Sequence, residues 1–168
     1  MLWKIAGKVP PSLIVFVWRH IPIAVKPILA QIFNLRFTAS VCGLVYAKNG
    51  DLLIVKHTYK VIPWGLPCGG LKKEQPFECL KREVWEETGF EIEPVKILSV
   101  IHKDKPSHLA IIIEAKLLGG LFKPSPEVSD FAFIGSSKEA DKLSDFQRRL
   151  VEMYFERHDK SGPVHPGV

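Results

Sequence analysis

The segment from Pro76 to Gly89 constrains this chain more than any other, because the sequence specifies both its ends and both its faces. Proline suits the first position of a helix and glycine the residue just past its end, so the two bracket a helix of about three turns. Phe77, Leu80 and Val84 recur at helical spacing and predict one buried stripe. Glu83, Glu86 and Glu87 stand at i, i+3 and i+4, which gathers three carboxylates on another face. At about 6 Å and an effective dielectric of about 20, each like-charged pair repels by roughly 3 kcal/mol, falling to a few tenths in full solvent. A divalent cation removes that conflict, and hard oxygen ligands suit magnesium or manganese. The same spacing also allows a solvated acidic face, with Lys81 and Arg82 reaching Glu78 and Arg82 reaching Glu86.

The residues before the helix bear on that choice. The run Trp64-Gly65-Leu66-Pro67-Cys68-Gly69-Gly70-Leu71 sets a glycine loop in front of it, where backbone can approach a ligand and a carbonyl can coordinate a metal. Upstream, β-branched and small residues from Phe37 to Tyr46, the pair Asn49-Gly50 and then Leu52 to His57 predict two strands joined by a tight hairpin. Tyr59 to Lys73 is rich in Gly, Pro and Lys and predicts a loop. Downstream, Val95 to His102, Leu109 to Leu118 and Phe131 to Ile134 predict strands. Ser144 and Gln147 have the spacing of a capping box for a last helix, with Phe146, Leu150, Met153 and Tyr154 facing inward.

Glu74, seven further residues, and then Arg82-Glu83-Val84-Trp85-Glu86-Glu87-Thr88-Gly89-Phe90 follow the second half of a known signature. From Gly69 to Phe90 the chain resembles the Nudix box, and the resemblance extends over about residues 37–155. It implies an α/β fold, the Nudix α/β/α sandwich with a mixed sheet between helices. It also implies a metal-dependent hydrolase that cleaves a nucleoside diphosphate linked to another group. On the same grounds Glu83, Glu86, Glu87 and the Gly69 carbonyl would hold Mg2+ or Mn2+, Arg82 would orient Glu83, and Glu74 would brace the loop or assist at the metals. Two positions depart from the pattern. Four residues, Gly70 to Lys73, separate Gly69 from Glu74 where the family has five, which is expected to shift the Gly69 carbonyl; Phe90 stands in place of an aliphatic residue and still fills an apolar site.

The general base expected is Glu127, in the Pro-flanked loop Pro124 to Ser129, with Glu114 a weaker candidate because it sits in an apolar strand run and can simply point outwards. An exposed loop glutamate is the alternative for Glu127. Trp64 can stack on a nucleobase or pack the loop onto the core, and Lys56, His57 or Lys60 can meet a phosphate. Cys68 has no histidine paired with it and reads as a passive thiol. The substrate expected is a small nucleotide such as a nucleoside triphosphate, a nucleotide sugar or ADP-ribose. A catalytically silent nucleotide sensor and an RNA-end pyrophosphohydrolase use the same box and stand as alternatives.

Charge speaks against long nucleic acid. Residues 1–36 hold Lys4, Lys8, Arg19, Lys26 and Arg36 and no acid, so the remaining 18 bases and 18 acids cancel. The expected organisation is a basic, apolar and helical extension over residues 1–36, a hydrolase domain over 37–159 and a loose tail over 160–168. A short helix opening at Pro27, with Ile28, Leu29, Ile32 and Leu35 on one stripe, is expected in the extension. Its longest uncharged runs, Val9 to Trp18 and Pro27 to Leu35, fall short of the roughly 18 residues a spanning helix needs. Pro10, Pro11, Pro22 and Pro27 divide it into short pieces, which favours packing on the domain or on a second subunit over peripheral contact with a membrane. Three cysteines without a CxxC pair argue for reduced thiols and a cytoplasmic protein, and six scattered histidines offer no ligand spacing.

Overall fold

A computed structural model describes residues 10–26, 38–103 and 107–160. The chain divides into two compact units, Met1–Phe37 and Thr38–Val168. Within the first, helix α1 spans Pro11–His20 and opens on a proline at its first turn. The helix expected from Pro27 lies outside the described residues.

The second unit is built on strands whose side chains are buried on both faces. Along β1 (Thr38–Tyr46) and β2 (Leu52–His57) the apolar residues alternate strictly between two cores. Cys42, Leu44, Leu52 and Ile54 enter one, and Val41, Val45, Leu53 and Val55 enter the other. Such a sheet has to be covered twice. Helix α2 (Pro76–Thr88) supplies Cys79, Leu80 and Val84 to one side, with Phe77 packed at its margin. Helix α3 (Asp145–Lys160) and the 3-10 turn Ser137–Lys142 supply Ala140, Leu150, Val151 and Tyr154 to the other. The result is the α/β/α layering that the resemblance implied.

Among the described residues the sheet has seven strands, completed by β3 (Trp64–Gly65), β4 (Cys68–Gly70), β5 (Phe90–Lys103), β6 (His108–Gly120) and β7 (Val128–Ile134). Its order is β3-β2-β1-β6-β5, with β4 also on β1 and β7 on β2. Only the β1–β6 pairing is parallel, so the sheet is mixed.

Four expectations need correction. The span Tyr59 to Lys73 is not a plain loop, because β3 and β4 pair with β2 and β1 through long-range contacts that its composition does not reveal. Strand β5 starts at Phe90 rather than Val95; it is an edge strand, where Pro94 is accommodated by a register shift. On α3, Met153 is exposed and Val151 takes the buried position. The Gln147 side chain does not turn back to a cap; its amide oxygen accepts from the Leu66 N–H at 3.4 Å and its Nε2 reaches Cys68 Sγ at 3.7 Å.

Candidate active site

Gly89 ends α2 in the left-handed conformation at φ 75°, and its N–H donates to the Trp85 carbonyl at 2.8 Å. Thr88 seals the same turn, its hydroxyl donating to Val84 O at 2.6 Å and accepting from Phe90 N–H at 3.1 Å. A helix fixed this firmly, with one face pressed on the sheet, holds its acidic residues in set positions. Strand β4, paired to β1 at Val41↔Gly69, brings the glycine loop across them. A Cβ added at Gly69 would fall on the Glu83 carboxylate, so only glycine lets this backbone lie against that acid. The loop with one residue fewer than the family pattern therefore keeps Gly69 beside Glu83.

Arg82 ties the surrounding acids together. It grips Glu74 with two donors, Nη2 at 2.6 Å and Nε at 3.2 Å, while Nη1 lies 2.8 Å from Glu83 and 2.9 Å from Glu86. The hydrogen bonds from Arg82 hold the Glu74 carboxyl below the usual carboxylate range. Glu74 thus anchors the loop to the helix, and Arg82 sets the orientation of Glu83 and Glu86.

Glu87 sits in a different environment. It is 5% exposed, and its Oε2 is buried with no hydrogen-bond partner. Burial pushes its carboxyl up to about 8, with Glu83 and Glu127 adding to the rise and Lys60 opposing it. The sequence had not linked Lys60 to this acid. Lys60 is itself half-buried, its ammonium lowered by burial and held up by Glu87 and Glu127. Glu127 is exposed, but its backbone carbonyl accepts from Thr58 N–H at 3.0 Å and Thr58 Oγ1 donates to Pro126 O at 2.8 Å, which ties its loop to the end of β2. The structure therefore brings Glu127, Lys60 and Glu87 into one electrostatic neighbourhood.

This donor set fits a hard divalent cation. It offers carboxylates and a glycine-loop backbone, and one buried carboxylate oxygen lacks any counterpart. Among the described residues no three His, Cys, Asp or Glu side chains are already gathered as a metal-ligating group. Glu83 and Glu86 are turned towards Arg82 instead.

The other candidates separate. Trp64 is half-buried on β3 opposite Lys56, whose Nζ lies 5.9 Å from its ring centroid, and Lys142 Nζ approaches the same ring at 5.4 Å. Trp64 and Lys60 line a cleft of about 470 Å³ with Ser40, His108, Phe146 and Gln147. His57 is not positioned to meet a phosphate. It is 2% exposed, neither ring nitrogen has a hydrogen-bond partner, and burial, reinforced by Lys60, lowers it to about 4 although the nearby Leu66 backbone opposes the shift. Glu114 belongs to the opposite side of the sheet, in a small cavity with Leu150 and Tyr154 of α3, where Lys96 Nζ meets it at 3.2 Å. That placement separates it from the acids of α2.

The cysteine expectation also needs correction. Cys42 and Cys68 face each other across β1 and β4 and are joined as a disulfide, while Cys79 remains a free thiol that burial raises to about 11. A pair separated by 26 residues gives no spacing signal, and the thiol argument for a cytoplasmic location falls away.

The site is thus an acid-bearing helix fixed behind a glycine loop on a mixed sheet between helices. The NUDIX domain family matches residues 36–154, and the chain belongs to the Nudix hydrolases. It is 28% identical over 128 residues to a MutT-like protein of Streptomyces ambofaciens, covering 75% of this chain and 80% of that one. It is 32% identical over 99 residues to a human 8-oxo-dGDP phosphatase, covering 55% of this chain but 30% of that protein. In fold it is similar to a NUDIX hydrolase of Nitrosomonas europaea, with a TM-score of 0.69 at 21% identity over 77% of this chain and 76% of that one. Nudix hydrolases are generally dependent on divalent metal.

Proposed function

We propose that this Nudix hydrolase is a magnesium- or manganese-dependent pyrophosphohydrolase of small nucleotides in which a nucleoside diphosphate is linked to another group. The observation that carries the reading is the buried, unpartnered Oε2 of Glu87 on the same helix as Glu83 and Glu86. A carboxylate oxygen buried without a hydrogen-bond partner is costly, and a bound cation would supply that partner.

In this reading Glu83, Glu86, Glu87 and the Gly69 carbonyl hold the cation, with Arg82 and Glu74 positioning them. When bound, a divalent cation neutralises charge on the diphosphate and makes a water more acidic. Glu127 takes the proton of the attacking water, and its nearness to Lys60 and Glu87 supports that role. Lys60 meets a substrate phosphate at the border between the acids and the cleft, and Trp64 offers a face for the base. The charge balance of residues 37–168 favours a small nucleotide over long nucleic acid.

The test is a panel of nucleoside triphosphates, nucleotide sugars, ADP-ribose and 8-oxo-dGDP incubated with magnesium, with products separated to identify the broken bond. Glu86→Gln removes a ligand charge at nearly constant volume and should lower turnover about 100-fold or more with the fold intact. Ordinary turnover by a folded Glu86→Gln protein, or no cleavage of any member by the parent, overturns the reading.

A further inference from the structure

Helix α1 is apolar over most of its circumference. At about 100° per residue, Leu13, Val15, Phe16, Val17 and Trp18 point to roughly 0°, 200°, 300°, 40° and 140° around the axis, and all five are exposed. Packing on a protein surface covers one side of a helix and asks for a polar opposite face. Here the only polar strip is a narrow one, Ser12 and Arg19 at about 260° and 240°, and the acyl boundary of a bilayer takes a helix laid in it with such a strip turned to the headgroups, asking only that its backbone bonds be internal. The helix is also too short to cross: ten residues make about 15 Å against a hydrocarbon core of about 30 Å. No described helix is long and apolar enough to span a membrane.

The ionisable groups lie at the helix's C-terminal end. Trp18 is followed by Arg19 and His20, with His20 Nδ1 2.8 Å from Phe16 O, and Lys26 Nζ lies 5.8 Å from the Trp18 ring centroid. A tryptophan flanked by cations is the pattern found at the headgroup level. The five bases and no acids of residues 1–36 make the charge one-sided, while the other 132 residues carry none of the excess.

We propose that residues 10–26 form a membrane anchor, in which α1 lies among the acyl chains of an anionic lipid surface and Arg19 and Lys26 contact its headgroups. This places the hydrolase at a membrane without any change to its active site. It also replaces packing, which the prolines had favoured, as the use of this segment: they shorten the helix, and the apolar residues exposed around it exceed what one packed side covers.

The test uses the full chain and flotation with phosphatidylcholine vesicles containing about 30% phosphatidylglycerol, beside phosphatidylcholine alone. Each base near an anionic surface strengthens binding about fivefold, so Arg19→Ser with Lys26→Ser should weaken it about 25-fold, and raised salt should mimic the loss. Phe16→Asp with Val17→Asp should abolish flotation while leaving the melting temperature and the oligomeric state unchanged. Failure of the parent to float overturns the proposal. So does a Phe16→Asp, Val17→Asp protein that melts at least several degrees lower, which assigns the helix to its own domain, or one that breaks a dimer, which assigns it to a second copy.

Discussion

Glu87 and Glu114 are buried to the same degree, 5% exposed each, and the chain surrounds them differently. Glu114, reaching from β6 towards α3, meets Lys96 at 3.2 Å and lies 4.0 Å from His158. Glu87, on the other side of the sheet, keeps one oxygen without a hydrogen-bond partner, and besides Lys60 it has Glu83 and Glu127 as neighbours of its own sign. Burial alone therefore does not mark a functional acid. The difference lies in direct partners: Lys96 makes an ion pair with Glu114, whereas Lys60 acts on Glu87 without a hydrogen bond to its buried Oε2.

The comparison breaks or sharpens first at these two residues. Glu87→Gln should lower turnover about 1,000-fold yet leave the metal-free protein about as stable, since an amide of nearly the same shape replaces a carboxyl group that burial already holds against ionising. Magnesium at 100 times its Kd should stabilise the parent by about 2.7 kcal/mol and the variant far less, read as a shift in melting temperature. Glu114→Gln should do the reverse: turnover within about threefold, and a loss of about 1 kcal/mol because Lys96 is mostly exposed and recovers its hydration. Equal effects of the two substitutions on turnover would remove the distinction. Glu127→Gln comes next. As an exposed base it should cost about 100-fold, the low end for such groups, and a change under about threefold across pH 6–9 would return it to the status of a surface loop residue. Gly69→Ala should then cost about 10- to 100-fold, because the new methyl displaces Glu83, and an active Gly69→Ala protein would mean that this approach of backbone and acid is not used.

These contrasts also show what the sequence exposes and what it conceals. Helix α2 was legible because its signals are local: Pro76 and Gly89 at its ends, and acids and apolar residues at fixed spacing between them. The partition of the sheet residues was not, since β1 and β2 read as near-continuous apolar runs whichever face each residue takes. Everything that depends on β3 and β4 was concealed for a related reason. Their partners on β2 and β1 lie across loops and turns, so the Cys42–Cys68 bond and the reach of Gln147 to Leu66 leave no trace in spacing. Lys60 and Glu127 were each recognised as candidates, but their common approach to Glu87 arises from the ties between Thr58 and the loop at Pro126 and Glu127. Glu114 and His57 were misplaced because an apolar strand run contains residues of both faces, and the sequence does not say which face is covered by what.

His57 extends the comparison from charged to neutral groups. Like Glu87 it is buried without a hydrogen-bond partner, but it can shed its charge, and burial lowers it to about 4. The unfolded chain binds the proton near 6.5, so between about pH 6.5 and 4 the unfolded state carries more of it than the folded state. The stability this ring contributes is full above 6.5 and is lost as pH falls towards 4. The loss is on the order of 3 kcal/mol, with little further change below. His57→Leu fills a similar space with nothing to titrate, so its urea midpoint should fall less than the parent's between pH 7 and 4.5, after the slopes common to both proteins are subtracted. The largest separation of the two curves should lie at the acid end. Parallel curves would mean that the ring is partnered or hydrated in solution, and would leave Glu87, among the described residues, as the one buried polar side chain whose missing partner has consequences for the protein.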